Sequence, residues 1–280
     1  MKKDISFFTQ KNREAWNEVM PRHQKAAKQK LDQNFSIPGY SCINDHNFLQ
    51  ILEEINLKNK SIIHLCCNNG IELMSLKNMG AGRCLGIDIC DAAISEALER
   101  TQKNGIDCEF IRADVYDIPQ EFNDSFDITL ITAGGIGWLP DINLFFKKVS
   151  DLLQDSGIVL IHEIHPFSEM LPFDDNNSEN KLQIIEPYFR NEPIEENSSL
   201  DYLGGTDYIA KTQYWHVHTI SGIIMAMINN NLRIKHFSEH SQDCSAVHKK
   251  QEVLNAGIPL SYLMIAQKPV YPNPEKMNEI

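Results

Sequence analysis

No apolar run in the 280 residues approaches the length that spans a bilayer, and nothing near the amino terminus resembles a secretory signal. A soluble, cytoplasmic protein with no membrane partner is expected. Positive charge is also short: 26 Lys and Arg stand against 38 Asp and Glu, and the net charge of −12 repels phosphate backbones. Nucleic acid is thereby a poor partner, and a cationic or neutral small molecule suits the field better. The seven cysteines, one adjacent pair and the rest scattered, show neither a disulfide framework nor the paired spacing of a zinc site. They are expected as reduced thiols, with no metal.

What is present is organised around Ser61 to Asp88. Ile62 to Cys66 is short and apolar on both faces, which predicts a buried strand of a parallel sheet. Cys66-Cys67-Asn68-Asn69-Gly70 must then turn the chain, and Gly70 is read as letting the backbone pass close to a ligand. Leu73, Leu76 and Met79 follow at helical spacing up to Gly80, and Cys84 to Ile87 makes a second strand. Asp88 falls at the carboxyl end of that strand, 18 residues past Gly70, where a carboxylate accepts hydrogen bonds from both hydroxyls of a ribose. The G-x-G-x-x-G pattern that seats a dinucleotide pyrophosphate on a helix amino terminus is missing here. An ordinary βαβ unit without a ligand is the plain alternative.

At these residues the chain resembles the class I S-adenosylmethionine-dependent methyltransferases. Their first motif reads acid, apolar, Gly, small, Gly, small, Gly; here it reads His64, Leu65, Cys66, Cys67, Asn68, Asn69, Gly70. The resemblance implies S-adenosyl-L-methionine as cofactor, held by Cys66, Cys67, Asn68, Gly70, Asp88 and Ile89, and by Thr132 and Ala133 at the exit of a fourth strand. It implies also that Asp114, 26 residues beyond Asp88, accepts from the adenine amine while the Val115 amide donates to a ring nitrogen. The acid or Asn followed by two prolines and an aromatic, which marks enzymes acting on base amines, is absent after Thr132.

Further along, strands are predicted at 108–113, 126–132 and 158–161, separated by helices marked by Ala93, Ala97 and Leu98 and by Phe145, Val149 and Leu152, the latter helix ending at Gly157. Five strands alternating with helices make a doubly wound α/β sheet. Strands at 232–237 and 259–266 complete a seven-stranded, mostly parallel, Rossmann-like sheet, and the resemblance inserts the seventh antiparallel between the fifth and sixth. The chain divides into an N-terminal arm (1–44), a cofactor-binding core (45–165), a lid insertion (166–214), the rest of the core (215–268) and a polar tail (269–280). In the arm, Trp16, Val19 and Met20 predict a short helix that Pro21 kinks or ends. Similar small-molecule methyltransferases fold such an arm over the cofactor mouth, which implies Trp16, His23 and Tyr40 as lid residues.

Residues 166–214 lose hydrophobic periodicity but carry Tyr188, Tyr202 and Tyr214, with Trp215 just beyond, enough aromatic surface for a substrate lid. A strand at 212–218 leads back, and Thr219 caps a helix after it. The activity so implied is transfer of a methyl group to a small-molecule acceptor by in-line displacement at O, N or C. Where a hydroxyl accepts, His165 and His218 are the candidate bases; His162, His165, His216 and His218 as a metal set is a weaker reading. A non-catalytic S-adenosylmethionine-binding subunit and a nicotinamide-dependent oxidoreductase are the alternatives.

Overall fold

A computed structural model describes residues 4–270 apart from 175–177 and 246, so the tail predicted at 269–280 lies outside the described residues from 271 on. The strands are β1 (Ile62–Leu65), β2 (Cys84–Asp88), β3 (Glu109–Arg112), β4 (Phe126–Thr132), β5 (Leu153–Ile164), β6 (Ile194–Glu196), β7 (Gln213–Trp215), β8 (Arg233–His240) and β9 (Ser261–Gln267). Seven form one sheet in the order β3-β2-β1-β4-β5-β9-β8. The first five are parallel, and β9 runs antiparallel between β5 and β8. This is the class I methyltransferase arrangement expected from the resemblance.

Residue alternation divides the core. Ile62, Ile128, Leu130, Leu160 and Leu263 face one side, under helices α3 (His46–Ile55), α4 (Ile71–Asn78) and α5 (Asp91–Asn104). Ile63, Leu65, Ile131, Ile161 and Met264 face the other, under α6 (Ile142–Leu152) and α7 (Ile220–Asn229). Both faces of the central strands are therefore buried, the reason they read as unbroken apolar runs. Helices start at capping side chains: Asp45, Asp141 and Thr219, the last as predicted, accept from the amides of Phe48, Leu144 and Gly222. Neither core cluster contains a residue of the insertion.

Three expectations need correction. The helix before β5 stops at Leu152, not Gly157, and β5 begins at once; Ser156 takes φ 64° and Gly157 sits where a Cβ would lie 2.8 Å from the Gln154 carbonyl, so the glycine serves a tight kink inside the strand. The return at 212–218 forms a strand only over Gln213–Trp215, paired with β6 in a separate two-stranded sheet. Finally, Pro21 does not end the N-terminal helix. Helical chain runs on from α1 (Ile5–His23) through a π-helical stretch, Gln24–Lys28, into α2 (Gln29–Phe35). Pro21 is exposed, its ring meets no core, and the wider π turn that follows absorbs the misfit.

Candidate active site

The turn after β1 makes the floor. At Cys66, Asn68 and Gly70 the chain takes φ values of 55°, 48° and 73°, so the three positions where the resembled motif has glycine keep a left-handed backbone even where a side chain has replaced it. That conformation costs a non-glycine residue roughly 1–2 kcal/mol. Asn68 offsets part of it by accepting from the Asn69 amide at 2.7 Å. Arg100, enclosed beneath, donates to the Asn69 carbonyl at 3.3 Å, to Asp32 at 3.0 Å and to Glu96. The turn is thereby tied to α5 and α2. Gly70 itself does not line the cavity, correcting its reading as a ligand approach: a Cβ there would meet the Phe110 ring at 2.4 Å.

Asp88 closes β2 with Oδ2 accepting from the Asn68 amide and Oδ1 from the Cys90 amide, each at 2.8 Å. Burial raises its pKa, and these amides oppose the rise. A carboxylate has about four acceptor positions, which these amides do not exhaust, and Asp88 lines the cavity. Asp114 caps the turn after β3 through the Tyr116 amide at 3.1 Å and lines the cavity with Val115. Thr132 and Ala133 line it where β4 ends. Behind them His64, standing at the motif's acid position, contacts the Thr132 hydroxyl through Nε2 at 3.0 Å. Burial pulls its pKa down to about 3, which keeps the ring neutral.

The cavity above this floor measures about 530 Å³. Its roof comes from α1 and the insertion, joined by a reciprocal pair: Asn12 Nδ2 donates to the Tyr214 carbonyl at 2.9 Å, and the Tyr214 amide donates to Asn12 Oδ1 at 2.8 Å. His23 adds a contact to the Leu200 carbonyl at 3.0 Å and lies 3.7 Å from Asp201. On the other flank Arg13 and Asn17 hold Asp91 of α5 at 2.9 and 2.8 Å. Trp16, Trp138 and Trp215 form one wall, and Glu169 accepts from Trp215 Nε1 at 3.0 Å. Burial, then the charge of nearby Glu163, pushes the Glu169 carboxyl up to about 8. Glu163 holds the exit of β4 by accepting from the amides of Gly134 at 2.5 Å and Ile136 at 2.9 Å, and its burial raises it to about 7.

Cys66, Cys67, Asn68, Asp88, Ile89, Asp114, Val115, Thr132 and Ala133 all line this cavity, as do Trp16, His23, Tyr202 and Trp215. Others do not. His165 turns away, with Nε2 2.9 Å from Glu239 and Nδ1 accepting from the Phe167 amide, and His218 Nε2 meets the Leu139 carbonyl at 2.7 Å. The geometry therefore gives neither histidine a proton to take from an acceptor in this cavity. Tyr40 packs on Phe35 outside the cavity, Tyr188 accepts from the Ile220 amide, and the Tyr214 ring packs on Phe8 at 5.1 Å. Glu72, Asn12, Trp138 and Glu169 were missed as lining residues. Glu72 reads as an ordinary acid in a helix's first turn, and Glu169 lies where the pattern gives no signal.

A profile of the methyltransferase domain family matches residues 56–214. The ribosomal protein L11 methyltransferase of Tolumonas auensis is 30% identical over 111 residues, 40% of this chain and 38% of that protein. The chain thus spans well under half the length of the curated relatives it matches. Among solved structures, an S-adenosylmethionine dependent methyltransferase from Mesorhizobium loti superposes with a TM-score of 0.53 at 19% identity, covering 78% of this chain and 96% of that one. Geranyl diphosphate C-methyltransferase from Streptomyces coelicolor, solved with S-adenosyl-L-homocysteine, gives 0.55 at 14% identity over 79% and 78% of the two chains. At such identities these likenesses carry the fold.

Proposed function

We propose that this chain, which belongs to the class I S-adenosylmethionine-dependent methyltransferases, transfers a methyl group from S-adenosylmethionine to a small-molecule acceptor bound under its roof. The observation that carries the reading is the covered cavity of about 530 Å³, within the roughly 300–1,000 Å³ of small-molecule sites. An acceptor group on a folded macromolecule would have to displace α1 and the insertion to reach the floor.

The floor fits the cofactor at its nucleoside end. The Asp88 carboxylate at the end of β2 suits ribose hydroxyls, and Asp114 with the Val115 amide offers the acceptor and donor that an adenine edge needs. Cys66 to Asn68, Ile89, Thr132 and Ala133 supply the walls around it. Bound S-adenosylmethionine supplies a methyl group already activated by its sulfonium. What remains for the protein is alignment and exclusion of water, effects worth up to about 7–11 kcal/mol in well-oriented systems.

A protein acceptor is the second reading, favoured by the names of the curated relatives over 40% of the chain. The roof opposes it. Thermal denaturation tests the cofactor assignment: S-adenosylhomocysteine at a hundredfold over its Kd should stabilise the protein by about 2.7 kcal/mol, and NADH should not. The reverse result would sink the reading in favour of an oxidoreductase. Binding without turnover of any small acceptor or of protein would point instead to a non-catalytic subunit.

A further inference from the structure

We propose that the acceptor carries a basic nitrogen, held as an ammonium between the indole wall of Trp16, Trp138 and Trp215 and the carboxylate of Glu169. The proposal rests on the methyltransferase reading of this cavity and names the substrate class.

The chain has three tryptophans, and all of them end on this one wall although they come from α1, the exit of β4 and β7. The Trp16 and Trp138 rings meet at 5.5 Å and 80°, and those of Trp138 and Trp215 at 4.8 Å and 86°. Edge-to-face packing leaves indole faces turned in different directions, the arrangement in which several electron-rich faces surround one cation. Gly137 permits it, since a Cβ there would sit 2.1 Å from the Trp215 ring.

Charge points the same way. Among the described residues, the cavity is lined by the carboxyls of Glu72, Asp88, Asp114, Glu169 and Glu196, and by no lysine or arginine. Its histidine, His23, is pulled below its ordinary pKa by burial and is neutral at pH 7. Asp88 and Asp114 belong to the nucleoside floor, whereas Glu169 and Glu196 come from the insertion and face the acceptor side. Glu169 is only 8% exposed. Its elevated pKa is the mark of a buried carboxyl that the protein leaves without a counter-cation. An anionic acceptor would enter this field with no cationic partner, whereas an ammonium would supply one, and its charge would lower the raised pKa of Glu169 so that the carboxyl, protonated near pH 7 in the empty site, ionises as the ammonium binds.

The test reads tryptophan fluorescence of the full chain saturated with S-adenosylhomocysteine and titrated with phenethylammonium, phenethyl alcohol or phenylacetate at neutral pH. Phenethylammonium should quench saturably and bind at least about tenfold more tightly than the alcohol, and phenylacetate should bind weakest. Glu169→Gln keeps the side chain's size and an acceptor for Trp215. It and Trp138→Phe should each weaken phenethylammonium binding about tenfold while leaving S-adenosylhomocysteine affinity unchanged. Equal affinity for the alcohol, or tighter binding of phenylacetate, would overturn the proposal. So would absence of ammonium binding in the loaded protein, which would mean that the acids serve only the cofactor's own ammonium. S-adenosylhomocysteine affinity, measured separately by denaturation, separates the failures: its loss sinks the methyltransferase reading, and its presence without an ammonium preference sinks this inference alone.

Discussion

Asp88 has two duties, since the carboxylate that would take ribose hydroxyls also ties the turn after β1 to the start of α5 through two backbone amides. Asp88→Ala should weaken S-adenosylhomocysteine binding by about 1–3 kcal/mol and lower Tm as well, because the Asn68 and Cys90 amides lose their acceptor. Calorimetric titration that finds unchanged affinity in a folded variant would refute the assignment. Glu169 makes a prediction in pH. Its folded pKa of about 8 stands above the ordinary 4.5, so the folded protein holds the proton more tightly than the unfolded chain. The stability from this group is complete below pH 4.5 and is lost as pH rises through 8. Buried histidines have the opposite sign: His162 and His216, lowered from 6.5 to about 4, add stability as pH rises from 4 to 6.5. Above 6.5 the carboxyls dominate. Between pH 6.5 and 8 the wild type should therefore lose stability relative to Glu169→Gln, at up to roughly 1.4 kcal/mol per pH unit. Parallel stability curves for the two proteins would show that Glu169 titrates normally.

At the scale of elements, the roof depends on how α1 is held. Arg13 and Asn17 bind it to α5, whose position the core determines, and Asn12 binds it to β7, which among the described residues pairs with β6 and not with the main sheet. The insertion is thus held by α1 on one side, and on the other by Asp174 accepting from the Lys249 and Lys250 amides and by the Pro172 carbonyl accepting from Gln251. Asn12→Ala should remove the two hydrogen bonds that join α1 to the Tyr214 backbone, at a cost of about 1–3 kcal/mol felt locally. Hydrogen exchange should speed up at residues 213–215 and leave the amides of β1 and β4 protected. Uniform loss of protection across the sheet would show instead that the roof and the core unfold as one unit.

For the whole molecule, the order β3-β2-β1-β4 places the reversal of strand order beside β1, and in doubly wound sheets that is where ligands bind. The sheet and the insertion are separable in packing, since neither core cluster draws on residues 166–214. Replacing residues 168–210 by a short Gly/Ser linker should leave a folded sheet still stabilised by S-adenosylhomocysteine. Methyl transfer should be abolished with the loss of Glu169 and of the acceptor's walls. A shortened protein that methylates its acceptor at near the parental rate would place the acceptor elsewhere.

Much of this was legible in the chain because it is set by near neighbours. Two-sided apolar runs specify central strands, Asp45, Asp141 and Thr219 specify helix starts, and an acid at the end of a strand lies at the sheet's carboxyl edge whatever the rest of the fold does. Those local rules, together with the family resemblance, led to the residues that line the cavity floor. The misreadings arose where a distant contact decides. Gly70 answers to Phe110, and His165 and His218 are drawn off by Glu239 and the Leu139 carbonyl. The acceptor side is the clearest case. Trp16, Trp138, Glu169 and Trp215 have no common spacing in sequence, and only the packing of α1 and the insertion over the ends of β1 and β4 joins them in one wall.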